Sequence, residues 1–230
     1  FPVIGNNAHI KSIGIIGANI DVTNQWHNDS RAGFIFGGAT LTNSWNAEDN
    51  TWYNSDIVSV EYCYVDSTSK MAAGYSGGIG GVVTSGNEGQ GFIRISNCGI
   101  AAEFDDDDYA CGGIGDIWNA EALYDRLYTV SDFSGKNAHR RLAYAYSCAD
   151  LSEDELNAGA VYLDSEEMTG EAAAQNMAGF DFDNVWQTAD GEMPTLRVFN
   201  RTSLEQPITA VQISTDGAGT QNGTKFVVKN

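Results

Sequence analysis

Two aromatic-rich segments and one run of acids are the parts of this sequence best suited to chemistry. Trp45, Trp52 and Tyr53 stand among Asn, Asp and Thr in GATLTNSWNAEDNTWYNSD. Trp118 and Tyr124, with Tyr128, Lys136, His139, Arg140 and Arg141, stand in IWNAEALYDRLYTVSDFSGKNAHRR. Flat rings offer apolar faces, and neighbouring amides and carboxylates offer hydrogen bonds, a mixture that suits a sugar. Each ring taken alone equally fits a small apolar cluster beneath its own loop. The acids Asp105, Asp106, Asp107 and Asp108 lie in EFDDDDYA. Four acids in a strand would alternate faces, so a solvated turn is the simpler expectation. Ca²⁺ takes six to eight oxygens and is the one cofactor this run allows, although the EF-hand spacing is absent.

Catalysis is a weaker reading. A glycosidase needs two carboxylates placed across one bond, and 31 acids make some such pair inevitable. His139 could serve as a base, yet no GxSxG motif accompanies it. SGGIGGVV lacks the GK[ST] ending of a phosphate loop. No CxxC occurs, and His9, His27 and His139 are scattered, which disfavours zinc. Binding is therefore expected, without catalytic residues. A polysaccharide lyase or glycoside hydrolase on a β-helix is the alternative.

The elements that would position these residues come from repetition. Val58, Val60, Cys63 and Val65 reappear 35 residues later as Ile93, Ile95, Cys98 and Ile100. With an offset of 45 backwards, Ile13, Ile15, Ala18 and Ile20 fill the same slots, and with 50 forwards Ala143, Ala145 and Cys148 do. Gly33-Phe34, Gly78-Ile79 and Gly113-Ile114 each follow 20 residues after Ile13, Val58 and Ile93. Alternating Ile and Val put one apolar face on each strand, which is buried only if the units stack. The expected fold is all-β, a short parallel β-helix or β-solenoid of about four rungs with a small helical segment and a C-terminal cap. Its predicted ladders are Ile13/Val58/Ile93, Ile15/Val60/Ile95 and Ala18/Cys63/Cys98/Cys148. The extra residues fall on the return segments 38–57, 84–92 and 117–141, where insertions on one face would bind. The cysteines read as free buried thiols, and Cys111 aligns with Ser76.

Residues 1–150 form the repeat region and 151–200 a capping segment. Ser152 and Glu155 have capping-box spacing, 164–177 is rich in helix formers, and Phe180, Phe182 and Trp186 suggest an aromatic plug. Residues 201–230 read as a terminal arm or linker. The balance of 31 acids against 12 bases, net −19, argues against nucleic acid or anionic membrane as partners. No apolar run is long enough for membrane insertion. A start at Phe1 without Met reads as a mature or excised piece of a larger chain.

GGIGGVV and CGGIGDI with their IxIxxC strands, the opening IKSIGIIGANID and the ending SEEMTG…GFDFDNVWQTADGEMPTL resemble the GLUG repeats of bacterial cell-surface, adhesin-like proteins. The similarity spans roughly residues 9–197. NGTKFVVKN resembles the stretch before the sorting tail of exported Bacteroidetes proteins. The resemblance implies a secreted or cell-surface protein acting in adhesion or display, with a glycan or host-surface component as partner. It brings no catalytic residues.

Overall fold

Residues that alternate apolar and polar form short strands, and most of these strands pair in parallel. The computed structural model describes residues 1–5, 7–22, 30–41, 43–48, 51–54, 58–85, 91–104, 109–118, 120–130, 143–146, 159–199, 211–213 and 224–226. The chain divides into two compact units, Phe1–Leu196 and Arg197–Asn230.

The first unit is laid down in successive passes. The first contains β1 (Val3–Gly5), β2 (His9–Lys11), β3 (Gly14–Ile15), β4 (Asn19–Asp21), β5 (Arg31–Gly33) and β6 (Phe36–Leu41). An inserted antiparallel hairpin follows, β7 (Asn43–Asn46) and β8 (Thr51–Asn54). The second pass contains β9 (Val58–Glu61), β10 (Tyr64–Val65), β11 (Lys70–Ala72), β12 (Tyr75–Gly77) and β13 (Gly80–Ser85). The third contains β14 (Gly91–Ile100), β15 (Glu103–Phe104), β16 (Tyr109–Cys111) and β17 (Ile114–Trp118). Then come β18 (Ala120–Val130), β19 (Ala143–Tyr146) and β20 (Ala160–Leu163). Four parallel sheets result. One runs β1-β6-β13-β17-β19, one joins β2, β3, β9, β10, β14, β18 and β20, and two smaller ones run β4-β11-β15 and β5-β12-β16. Their inward residues, among them Val58, Val60, Ile79, Ile93, Ile95, Ile100, Ile114 and Ile117, are fully buried in one cluster.

Val58 and Val60 stand beside Ile93 and Ile95, as the repeat predicts. The first pass sits differently. Ile10 pairs with Val60 and Ile15 with Val65, an offset of 50 in place of the expected 45. Apolar residues at 8, 10, 13, 15, 18 and 20 recur every five positions, so the pattern also matches itself when slipped by five. The slipped register lets β4 pair with β11 and aligns Ser12 with Tyr62, which decides it. The neighbour of Cys63 is accordingly Ile13, whose carbonyl accepts from the Tyr64 N–H, and not Ala18. On the far side, Ala122, Tyr124 and Leu127 of β18 follow Ile93, Ile95 and Cys98. Ala143 and Ala145 stand instead beside Ile114 and Ile117. Cys148 lies outside the described residues.

Spacing within a pass also varies. The offset between second and third passes is 35 at Val65/Ile100, 33 at Lys70/Glu103 and 34 at Tyr75/Tyr109. Cys111 therefore faces Gly77 and not Ser76, and Ile114 faces Gly80. Between β4 and β5 the first pass carries residues 22–30 where the second has only Ala73 and Gly74, an insertion away from the return segments.

A column of left-handed residues turns each pass at one corner. Ser12, Tyr62, Asn97 and Arg126 have φ of 60°, 53°, 53° and 57°, and each precedes the Ile13, Cys63, Cys98 or Leu127 of its own pass. Opposite, close approach between strands requires glycine. A Cβ at Gly77 would collide with the carbonyl oxygen of Gly80, and one at Gly80 with the Phe36 ring.

Past residue 150 the unit adds α1 (Gly170–Asn176) and an antiparallel pair, β21 (Trp186–Gln187) with β22 (Thr195–Leu196). Ser152 and Glu155 lie outside the described residues. Trp186 stacks on Phe180 at 4.4 Å between centroids, and Phe180 meets the edge of Tyr128 at 5.1 Å. Trp186 also packs edge-on against Tyr64, 6.4 Å away. Tyr64, Gly99 and Tyr128 are register partners on β10, β14 and β18. The aromatic cluster therefore covers a flank of the second and third passes and of β18, where the sequence suggests a plug. The second unit contains a 3-10 helix at Arg197–Phe199 and an antiparallel pair, β23 (Val211–Ile213) with β24 (Thr224–Phe226). Among the described residues no helix is long and apolar enough to cross a membrane.

Candidate functional site

The tight glycine turns bring β5 and β12 against β17, and four side chains meet there. Arg31 and Tyr75 are register partners on neighbouring strands. Asp116 and Trp118, two residues apart on β17, project from the same face. The Arg31 Nε donates to Asp116 Oδ2 at 2.7 Å, and the Trp118 Nε1 donates to the same oxygen at 2.6 Å. The Arg31 guanidinium carbon lies 5.1 Å from the Tyr75 ring centroid and 5.7 Å from that of Trp118. Asp116 is 2% exposed. Its charge is tolerated there because a cation and two N–H donors face it. Trp118 is 50% exposed, so its indole stands in solvent with one edge tied to a buried carboxylate. A large apolar ring held in fixed orientation beside a cation can stack on the apolar face of a sugar.

The other residues singled out in the sequence distribute as follows. Trp45 is the register partner of Trp52 across the hairpin, with Ser44 opposite Tyr53. The hairpin thus places the tryptophans at facing positions, apart from β17 in sequence and in sheet. Tyr124 does not stand in a projecting loop. Residues 120–130 are a strand, and Tyr124 is 8% exposed, inside the parallel stack, with its hydroxyl accepting from the Ile114 N–H at 3.3 Å. Tyr128 faces the aromatic cluster and donates to the Ala178 carbonyl at 2.6 Å. Asp105, Asp106, Asp107 and Asp108 lie outside the described residues, as do Lys136, His27, His139, Arg140 and Arg141. Among the described residues no group of three or more His, Cys, Asp or Glu is placed to hold a metal ion.

Cys63, between β9 and β10, and Cys98, on β14, are free and buried. The Cys98 Sγ accepts from the Cys63 N–H at 3.5 Å, and its thiol donates to the Ser96 carbonyl at 3.3 Å. Burial pushes the Cys98 thiol well up from its ordinary value, so it stays protonated.

Arg31, Tyr75 and Asp116 carry no mark in the sequence. Arg31 and Asp116 are 85 residues apart and meet only because three passes stack. The one local signal is the alternation of Asp116 and Trp118 in GDIW. Comparison with protein-family models, curated proteins and solved structures found no match.

Proposed function

We propose that this chain is a non-catalytic surface module that binds glycans through the Trp118 site, on a short β-helix whose rungs are the passes described above. The observation that carries the reading is the half-exposed Trp118 indole fixed by Asp116 and flanked by Arg31 and Tyr75. Preorganised aromatic platforms lose little conformational freedom when a ligand stacks on them. The parallel register of β9, β14 and β18, with its repeated left-handed corner, supports the β-helix reading and agrees with the GLUG-like pattern of the sequence. An exported, cell-surface setting follows from that pattern. Hydrolysis of a glycosidic bond requires two carboxylates flanking it, about 5–9.5 Å apart. Among the described residues the site holds one carboxylate, Asp116, and it is already engaged by Arg31 and Trp118, which favours recognition over cleavage. Affinity electrophoresis through gels containing neutral polysaccharides tests the proposal. Trp118→Ala is expected to weaken retardation by about tenfold, the loss of roughly one stacking contact. Retardation unchanged in Trp118→Ala removes this site from the account.

A further inference from the structure

We propose that the outer face of β2, β9 and β14 carries a second subsite, centred on Arg94, for a carboxylate group borne by a sugar. The inference rests on the reading that glycans bind this module. Four other described cations are each matched to an acid: Lys11 to Glu61, Arg31 to Asp116, Lys70 to Glu103 and Arg126 to Asp125. Arg94 is exposed on β14 and makes no hydrogen bond or ion pair among the described residues. In a chain with 31 acids and 12 bases, an arginine with no carboxylate partner among the described residues stands out. Its register neighbour is Ser59 on β9, and beyond Ser59 lies His9 on β2. The Ser59 Oγ and His9 Nδ1 are 2.8 Å apart, which fixes the hydroxyl beside the strand that carries Arg94. His9, Ser59 and Arg94 thus form a row across three strands at steps of about 4.8 Å.

The chemistry of the row selects the ligand. A guanidinium presents parallel N–H groups that match the two oxygens of a carboxylate. The exposed His9 imidazole in the same row, held by the buried Ser59 hydroxyl, offers a further hydrogen bond to a neighbouring sugar hydroxyl. A uniformly charged polyanion is repelled by a chain of net charge −19. An isolated carboxylate is not, because charges farther than about 8 Å are screened at physiological ionic strength. The ligand class is therefore a largely neutral glycan with occasional uronic-acid units.

The experiment compares wild type, Arg94→Gln and Trp118→Ala by titration calorimetry against three probes. These are an oligosaccharide with a single uronic acid, its carboxyl-reduced neutral counterpart, and acetate alone. Arg94 is exposed and has no ion-pair partner among the described residues, so Arg94→Gln should melt at the wild-type temperature. The expected result is about tenfold tighter binding of the uronic-acid oligosaccharide than of the neutral one in wild type. Arg94→Gln should abolish that difference and leave the affinity for the neutral probe unchanged. Equal binding of the two oligosaccharides by wild type overturns the subsite and leaves the Trp118 reading intact. A preference that survives Arg94→Gln overturns it equally. Binding of acetate alone, with neither sugar bound, overturns the subsite and the glycan reading together.

Discussion

Asp116 concentrates the physics of the molecule into one side chain. It is buried, charged and shared between Arg31 and the Trp118 indole, so removing its carboxylate takes from both the oxygen they share. Asp116→Ala is expected to lower unfolding free energy by about 3 kcal/mol in urea titrations, near the lower end for breaking a buried pair. Lys70→Ala, which removes an exposed partner of Glu103, should cost less than about 1 kcal/mol in the same assay. The contrast tests whether burial and not ion pairing as such sets the cost. Cys98 gives a third expectation at this scale. Because burial raises its pKa and excludes solvent, a disulfide reagent at pH 8 should leave Cys98 unlabelled in folded protein and label it in urea. Rapid labelling in the folded state would contradict the packing of β14 against β9.

Among the elements, the corner column is the feature the sequence hid most completely. Left-handed backbone usually announces itself through glycine, but Ser12, Tyr62, Asn97 and Arg126 occupy it here. Such conformations cost of order 1 kcal/mol each and persist where neighbours over-determine them. Ser12→Gly is therefore expected to stabilise by about 0.5–1 kcal/mol, and Asn97→Val to destabilise by about 2 kcal/mol, read as shifts in thermal midpoint. No change in either variant would mean that the corner is not held in this conformation. The Val58/Ile93 and Val60/Ile95 ladders could be read because both strands carry Ile or Val two apart, and burial of the shared face leaves one register. The first pass is ambiguous in sequence because its apolar residues repeat every five positions and so satisfy two registers equally. The strand at 120–130 was hidden because tyrosines and charges interrupt its apolar pattern. Tyr124 fills an inward slot that the neighbouring strand gives to Ile95, and only the stacking explains why a ring fits there. Arg31 and Asp116 lie beyond any local reading, since no short-range pattern relates residues on different passes.

Across the first unit, stability is shared along the stack, so position within it decides the effect of a change. Ile95 lies between Val60 and Tyr124 and is fully buried, whereas Ile10 lies on β2, which among the described residues pairs only with β9. Ile95→Ala should cost about 3–4 kcal/mol and Ile10→Ala distinctly less. The flank cluster ties the chain after residue 159 to three passes through Tyr64, Gly99 and Tyr128, so Trp186→Ala should cost about 3–5 kcal/mol. The proposed function depends on Trp118, held on β17 with its indole half exposed. The central claim is best tested by incubating the wild-type protein with a broad panel of polysaccharides, with and without Ca²⁺, while measuring both retention and products. The account predicts retention of at least one glycan with no release of reducing ends or unsaturated sugars. Release of such products would contradict it and make this chain an enzyme.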